Sequence, residues 1–467
     1  MTDNAHLGAA VLAAMDGPFD GRTASPGDLD YDASRRVWNA TVDKRPALIA
    51  YCRSTADVVT IVRAARRAGA ALSVRSGGHQ VAGLCVCDDG VVVDLSELRS
   101  VRFEADGTSV RAGGGCLLGD VDRATAARGR IVPAGVVSHT GLGGLALGGG
   151  FGHTFRHFGL TCDNIIGAEV VTADGTVLRA GEGEGEDAEL LWALRGGGGN
   201  FGIVTSFVLR THPLSEVLFG LSVFVLDDLP RAMEPYASVM ADAPDELSVI
   251  CITRQAPPLP GMPPEIVGKP IVMFNGVWSG DLDAGVEPMR RLVDGGGPAM
   301  SEIIRMPYVA VQSMQDELHP HGRRNYNKSR YLDRIDDSAA KALLEAAGRL
   351  PGEYSQLEVI RLGGAAARVP EQATAFAHRD AAYILNVVAQ WTDPAQDDAH
   401  VRWARETYAA LDCVGSDAGY INFFGGEPER VHSVYPPETY DRLRRVKSRL
   451  DPDSVLRGNV PIEPAAA

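Results

Sequence analysis

Apolar and polar positions alternate along this chain in short blocks. "ALIAYC" (47–52) is apolar throughout, the pattern of a strand buried on both faces, and "ALSVR" (71–75) and "GVVVDLS" (90–96) read the same way. Between the first two, Ser54 or Thr55 caps a helix whose Val58, Val59, Ile61, Val62 and Ala65 fall on one side, and Gly69 stops it. So short a crossover predicts neighbouring parallel strands. "SVRFEADGTSVRAGG" and "GAEVVTADGTVLRA" are hairpins turning at Asp106-Gly107 and Asp174-Gly175. Further on come a helix around 117–128, a glycine-dense stretch at 133–152, an amphipathic helix at 187–196 and a strand at 202–211. After "THPL" the texture changes: residues 215–440 carry longer elements, fewer glycine clusters and the proline-rich "APPLPGMPPE". The tail is a helix ended by Asp451-Pro452 and then an extended piece.

This pattern predicts an α+β protein of two domains, 46–214 and 215–440, flanked by segments 1–45 and 441–467. Composition sharpens one point. Glycine numbers 53 of 467 residues, above the usual ~7%, and clusters where backbone must approach another backbone or a flat ligand closely. A net charge of −15 argues against a nucleic-acid or anionic-membrane partner. Seven scattered cysteines predict reduced thiols in a cytoplasmic protein, and Cys85-Val-Cys87 has neither redox nor zinc spacing. The N-terminus lacks the basic start and apolar core of a signal peptide. No apolar run reaches the ~18 residues of a membrane span.

"GLGGLALGGGFG" (141–152) formally matches a dinucleotide fingerprint, with Asp163 as its acidic partner. The context is wrong, because Pro133-Ala-Gly135 and Ser138-His139-Thr140 stand where a long strand belongs. Two loops, Arg75–Gly83 and Pro133–Gly152, together with "RGGGGNFGIV", instead offer runs of bare N–H groups that suit a pyrophosphate. His153 and His157 sit four apart but lack a third ligand, so no metal is predicted there or at His319 and His321. There is no G-x-S-x-G or H-E-x-x-H motif to favour a hydrolase.

"VRSGGH", "VPAGVVSHTGLGGLALGGGFG", "GLTCDNI", "ELLWALRGGGGNFGIVTSF" and "YDRLRRVKSRLDPDSVLRGNVPI" resemble the berberine-bridge-enzyme-like FAD-linked oxidases of the vanillyl-alcohol-oxidase/PCMH superfamily. The resemblance implies a PCMH-type FAD domain of two subdomains, a substrate domain with an antiparallel sheet, and FAD bonded through its xylene-edge methyl to His79. Relatives with a second bond place a cysteine where this chain has Val137, so a single tether is expected. Arg75, Ser76, Gly77, Gly78, Gln80, Gly83, Ala134, Gly135, Ser138, Gly141, Gly144, Gly149, Gly150, Asn164, Gly202, Val204, Tyr420, Asn422 and the tail's Asn459 carry over as FAD contacts.

For catalysis, "GYINFFGG" reads as a strand with Tyr420 and Asn422 on one face, the resemblance making Tyr420 the first candidate base. Lys328, pointing into the pocket, would acidify it; Glu358 is a further base or an amine-binding carboxylate. The implied activity is oxidation of an alcohol, amine or activated C–H of a small molecule, with O2 as acceptor and peroxide as product. A dehydrogenase with another acceptor, a non-covalent FAD reductase of the same fold and a flavin-holding scaffold stay open, as does the oligomeric state.

Overall fold

A computed structural model describes residues 2–258, 261–412, 415–424, 431–458 and 460–465. In the first domain β1 (Arg22–Ala24), β2 (Leu48–Tyr51), β3 (Leu72–Arg75) and β4 (Val91–Asp94) form a sheet in the order β1-β2-β4-β3. The predicted helix spans Thr55–Arg67. Ser54 caps it by accepting from the Asp57 N–H at 3.1 Å, and the Asp57 carboxylate accepts from the Ser54 N–H in return. β2 and β3 are parallel to β4 but are not neighbours, because β4 lies between them. The crossover from β2 skips one strand width, and the later β4, three valines and then the ion-paired Asp94, takes the doubly buried place.

β5 (Val101–Phe103), β6 (Ser109–Gly113), β7 (Arg130–Ile131), β8 (Ile165–Val171), β9 (Val177–Gly181), β10 (Ile203–Arg210) and β11 (His212–Pro213) follow. Five of them make an antiparallel sheet, β5-β6-β10-β8-β9, with both hairpins turning at the foreseen Asp-Gly pairs. The helix Thr55–Arg67 lies between the two sheets. Its Val58, Ile61 and Val62 share one core with β2–β4 and with Val171 and Ile203 of the second sheet.

The second domain is built on β12 (Glu216–Val225), β13 (Leu247–Gln255), β14 (Pro270–Trp278), β15 (Met300–Pro307), β16 (Arg324–Leu332), β17 (Gln356–Arg361) and β18 (Tyr383–Trp391). They form one antiparallel sheet, β15-β12-β14-β13-β17-β18-β16. Helices Leu229–Ala241, Leu282–Val293, Asp337–Ala347 and Asp397–Ala409 cover a single face of it. The opposite face turns toward the first domain, where Ile360 and Ile384 join the core of Phe155, Leu160 and Tyr420.

Both flanking segments are built in. Asn39 donates to Val81 O and Asn325 O and accepts from the Asn325 N–H, so the N-terminal segment joins the two domains. The tail helix, Pro437–Leu450, ends at Asp451. Lys447, fully buried, donates to Asp451 Oδ2, Asn200 O and Leu456 O at 2.6–2.8 Å. The Asn200 amide in turn holds Gly458, Val460 and Ile462. Lys447→Ala, which strands the buried Asp451 carboxylate, is expected to lower stability by about 3–5 kcal/mol. A Tm series against wild type, with Lys447→Arg as the charge-keeping control, checks it.

Candidate functional site

The two glycine loops meet backbone to backbone. A Cβ on Gly77 would lie 2.4 Å from the Gly141 amide nitrogen, and one on Gly141 would lie 2.2 Å from that of Gly77. Ser76 Oγ pins the junction by donating to Gly114 O at 2.7 Å and accepting from the Gly143 N–H. The loops wall a cleft of about 1840 Å³, its open mouth included, that runs to the bare face of the second domain's sheet. Ser76, Gly77, Gly78, His79, Gln80, Gly135, Gly141, Gly144, Gly202, Val204, Tyr420 and Asn422 line it, as expected. So do Val137, Glu358 and, beyond those expected, Trp38, His319, Asn327, Asn386 and Arg457.

Other expected contacts stand elsewhere. Arg75 is buried in an ion pair with Asp94, and Gly83 packs against Val42. Ala134 backs the cleft wall, its carbonyl against Gly152. Ser138 donates to Asp316 from both its N–H and its hydroxyl. Gly149 and Gly150 support Tyr420 from behind, and Asn164 spends its amide on Phe158 O, Leu160 O and His212. These residues shape the loops from outside the cleft. Asn459 lies outside the described residues. Asp163, the formal fingerprint acid, is ion-paired with Arg379 away from the cleft, in keeping with rejection of that motif.

The described part of that stretch, "GYINFF", is no strand: Ile421–Phe423 is a turn of 3₁₀ helix, which still brings Tyr420 and Asn422 together. The Tyr420 hydroxyl accepts from the Gly150 N–H and from Asn422 Nδ2, both at 2.7 Å. Burial raises its pKa despite those two donors, so the phenol stays protonated with its own hydrogen left to donate. Lys328 does not acidify it. Strand parity turns Lys328 to the helix-covered face, its Nζ 5.2 Å from the centre of the Tyr408 ring, and presents Asn327 to the cleft instead.

Glu358 does face the cleft. Its carboxylate accepts from Gln356 Nε2 at 2.6 Å and from Asn386 Nδ2, its cross-strand neighbour, at 2.8 Å. Burial pushes its pKa up against those two bonds. Asn327 Oδ1, Asn386 Oδ1 and Gln80 Nε2 are buried without a protein partner. An asparagine in the middle of the largely apolar run "YILNVVAQW" was the available sign of this polar row.

At the other wall His79 sits among aromatic rings. Trp38 stacks on it, with ring centres 4.9 Å apart and planes at 17°. His79 Nε2 lies 2.7 Å from His139 Nδ1, and the His321 ring stands edge-on at 5.5 Å. Burial, then the neighbouring imidazoles, hold His79 well below the usual histidine pKa, so it is neutral.

This cleft fits a flavin dinucleotide. Gly144 and Gly199 line it with nothing within 4 Å of where a Cβ would stand, leaving bare backbone for phosphates, and orphaned amides wait at the far end. The comparisons agree. Residues 46–181 match the FAD binding domain family. The chain is 31% identical over 463 residues, 96% of this chain and 97% of the relative, to (R)-6-hydroxynicotine oxidase of Paenarthrobacter nicotinovorans. The chain belongs to the berberine-bridge-enzyme-like FAD-linked oxidoreductases.

The crystal structure of 6-hydroxy-D-nicotine oxidase from Arthrobacter nicotinovorans superposes with a TM-score of 0.85 at 30% identity, covering 96% of this chain and 99% of that one. A variant of BBE-like 1 from Physcomitrella patens gives 0.85 at 23% identity over 99% and 100%, a likeness of fold. The α+β PCMH-type architecture expected from the sequence is therefore present, and the chain is an FAD-dependent oxidoreductase. When bound, FAD would supply the hydride acceptor, and Gly77, Gly141, Gly144 and Gly199 are the residues that would hold its phosphates. No helix among the described residues is long and apolar enough to cross a membrane.

Gly77→Ala forces a methyl into the Gly141 backbone, which no rotamer relieves. The overpacking of ~1–3 kcal/mol predicts reversible FAD binding, the step before any covalent bond, weaker by about 5- to 150-fold. The ratio of flavin to protein absorbance in the purified variant checks it, with circular dichroism as the folding control.

Proposed function

We propose that this FAD-linked oxidoreductase is an oxidase. It removes hydride from a C–H bond beside a hydroxyl or amine nitrogen of a small, secondary-metabolite-like molecule, with dioxygen as the final acceptor and hydrogen peroxide as product. The flavin is held by one covalent bond, to His79. Val137 lines the cleft where a second, cysteinyl bond would need sulfur. The cleft's Cys85 is a thiol that burial pushes up to about 11, too weakly ionised to serve. The six free cysteines among the described residues, of which Cys52, Cys85, Cys116 and Cys162 are buried, support a cytoplasmic enzyme.

The observation that carries this reading is Glu358, a desolvated carboxylate fixed by two amides in the same cleft as His79 and the glycine loops. Oxidation of an alcohol or amine releases a proton along with the hydride. A carboxylate whose pKa burial has raised is a stronger base for that proton than a free one and, before it takes the proton, attracts the donor N–H or O–H of the substrate. Tyr420, protonated and backed by Gly150 and Asn422, donates a hydrogen bond to the substrate heteroatom and orients it. The open acceptors Asn327 Oδ1 and Asn386 Oδ1 suit a substrate rich in N–H or O–H groups.

Stopped-flow reduction of the flavin under anaerobic conditions divides the roles. Glu358→Gln should slow reduction by about 10²–10⁴-fold, the share of a general base. Tyr420→Phe should slow it by about 10–100-fold, the value of one strong hydrogen bond. A larger loss in Tyr420→Phe makes the tyrosine the base. Because Glu358 works ionised, wild-type reduction should rise with pH through a value above the ordinary carboxylate range and then level off, and Glu358→Gln should lose that rise.

The electron acceptor and the tether have separate readouts. One peroxide per substrate oxidised identifies the oxidase, and none identifies a dehydrogenase. Flavin remaining in an acid-precipitated pellet identifies the covalent bond, whereas a colourless pellet favours the reductase-like member of the fold.

A further inference from the structure

We propose that Arg254 is a positioning residue for Glu358: acting through Gln356, it fixes the amide that holds the carboxylate and places a countercharge one side chain away. The inference deepens the reading of Glu358 as proton acceptor and rests on it. The register of the sheet lines these groups up. Arg254 of β13 stands directly across from Gln356 of β17. Glu358 comes two residues later on β17 and so shares that face, and Asn386 of β18 stands across from it. Arg254 Nη1 donates to Gln356 Oε1 at 3.3 Å, and Gln356 Nε2 donates to Glu358 Oε1 at 2.6 Å. Asn386 Nδ2 closes the row on Glu358 Oε2 at 2.8 Å. Arg254 itself is not part of the cleft wall, whereas Glu358 and Asn386 are.

A glutamine amide can sit either way round, and its partners decide which. A guanidinium carries donors only, so the end of Gln356 that faces Arg254 is the oxygen. The end left for Glu358 is then the NH2 group, a donor to the carboxylate. Reversed, the amide would set its oxygen 2.6 Å from a carboxylate oxygen, acceptor against acceptor. Arg254 forbids that arrangement.

The guanidinium has little else to do. Arg254 is buried, its Nε has no protein partner, and its remaining bond runs from Nη2 to Glu353 O at 3.4 Å. It makes no salt bridge among the described residues. A buried cation so poorly satisfied is costly, and the carboxylates whose charges favour it are Glu358, in its own row, and the exposed Glu353. Its charge in turn opposes the effect of burial on Glu358. The other groups nearby do not compete for this role. Arg323 spends its Nη1 on Leu318 O and Gln390 Oε1. Burial keeps His319 neutral and Tyr420 protonated.

The test reads the carboxyl itself and needs no substrate. Infrared difference spectra of the full-length flavin-loaded protein identify the C=O stretch of protonated Glu358 as the band lost in Glu358→Gln, and its intensity is followed with pH. Arg254→Met, with circular dichroism as the folding control, should move the midpoint up by about one pH unit, a tenfold change in proton affinity. Arg254→Lys, which keeps a charge and a donor, should return most of that shift. Gln356→Leu should also raise the midpoint, and adding Arg254→Met to it should shift the midpoint by less than half as much as Arg254→Met does alone. A wild-type midpoint in Arg254→Met, no return in Arg254→Lys, or a full shift without Gln356 would each overturn the inference. If Arg254→Met does not fold, a wild-type midpoint in Gln356→Leu overturns it. The anaerobic reduction of the flavin is a separate readout: a Glu358→Gln variant reduced at the wild-type rate removes the proton-acceptor reading, whatever the titrations give.

Discussion

The structure depends on a contact that has no side chains in it. Where Gly77 crosses Gly141, two loops belonging to different sheets approach within the space of one methyl group. That approach closes the floor of the cleft, aims His79 outward from the end of β3, and lays the start of the short helix Leu142–Leu147 beside it. Glycine is required here by proximity, since neither residue has a positive φ. Gly78 next door does, at 71°, and turns the chain so that the imidazole faces the cleft.

The second domain turns polar side chains to the cleft through strand parity. Its sheet has one face covered by four helices and the other turned to the flavin domain. Alternate residues of β16, β17 and β18 therefore face that domain, and Asn327, Glu358, Asn386 and Val388 among them line the cleft. On that face stand Asn327, Glu358 and Asn386, an unusual set for the interior of a sheet, and each costs desolvation that an apolar side chain would avoid. Partial satisfaction keeps Glu358 in place while leaving acceptors open beside it.

Much of this was legible in the chain. Glycine clusters located the cofactor loops, Asp-Gly pairs located both hairpins, and the change of texture after Leu214 located the second domain. What escaped was information about facing and neighbourhood. Alternation says that Asn327 and Lys328 point oppositely, yet it does not say which side the helices cover, so Lys328 was assigned inward. Tyr420 and Asn422 come together as expected, but through a 3₁₀ turn and not on one face of a strand. The place of β4 between β2 and β3 depends on pairing across forty residues. The meeting of His79 with His139 and His321 joins residues sixty and more than two hundred positions apart, and no local pattern encodes it.

The tail has a consequence for biosynthesis. Leu456, Arg457 and Gly458 are part of the cleft wall, held there by Asn200 and Lys447. The ribosome therefore completes both glycine loops, with His79, hundreds of codons before it supplies the last piece of the same wall. A nascent chain can fold its first sheets early, but it cannot enclose a dinucleotide until those late residues have left the exit tunnel. Cofactor capture thus waits on residues made long after the loops it engages, and a chain truncated before Leu456 would lack part of the wall of that cleft.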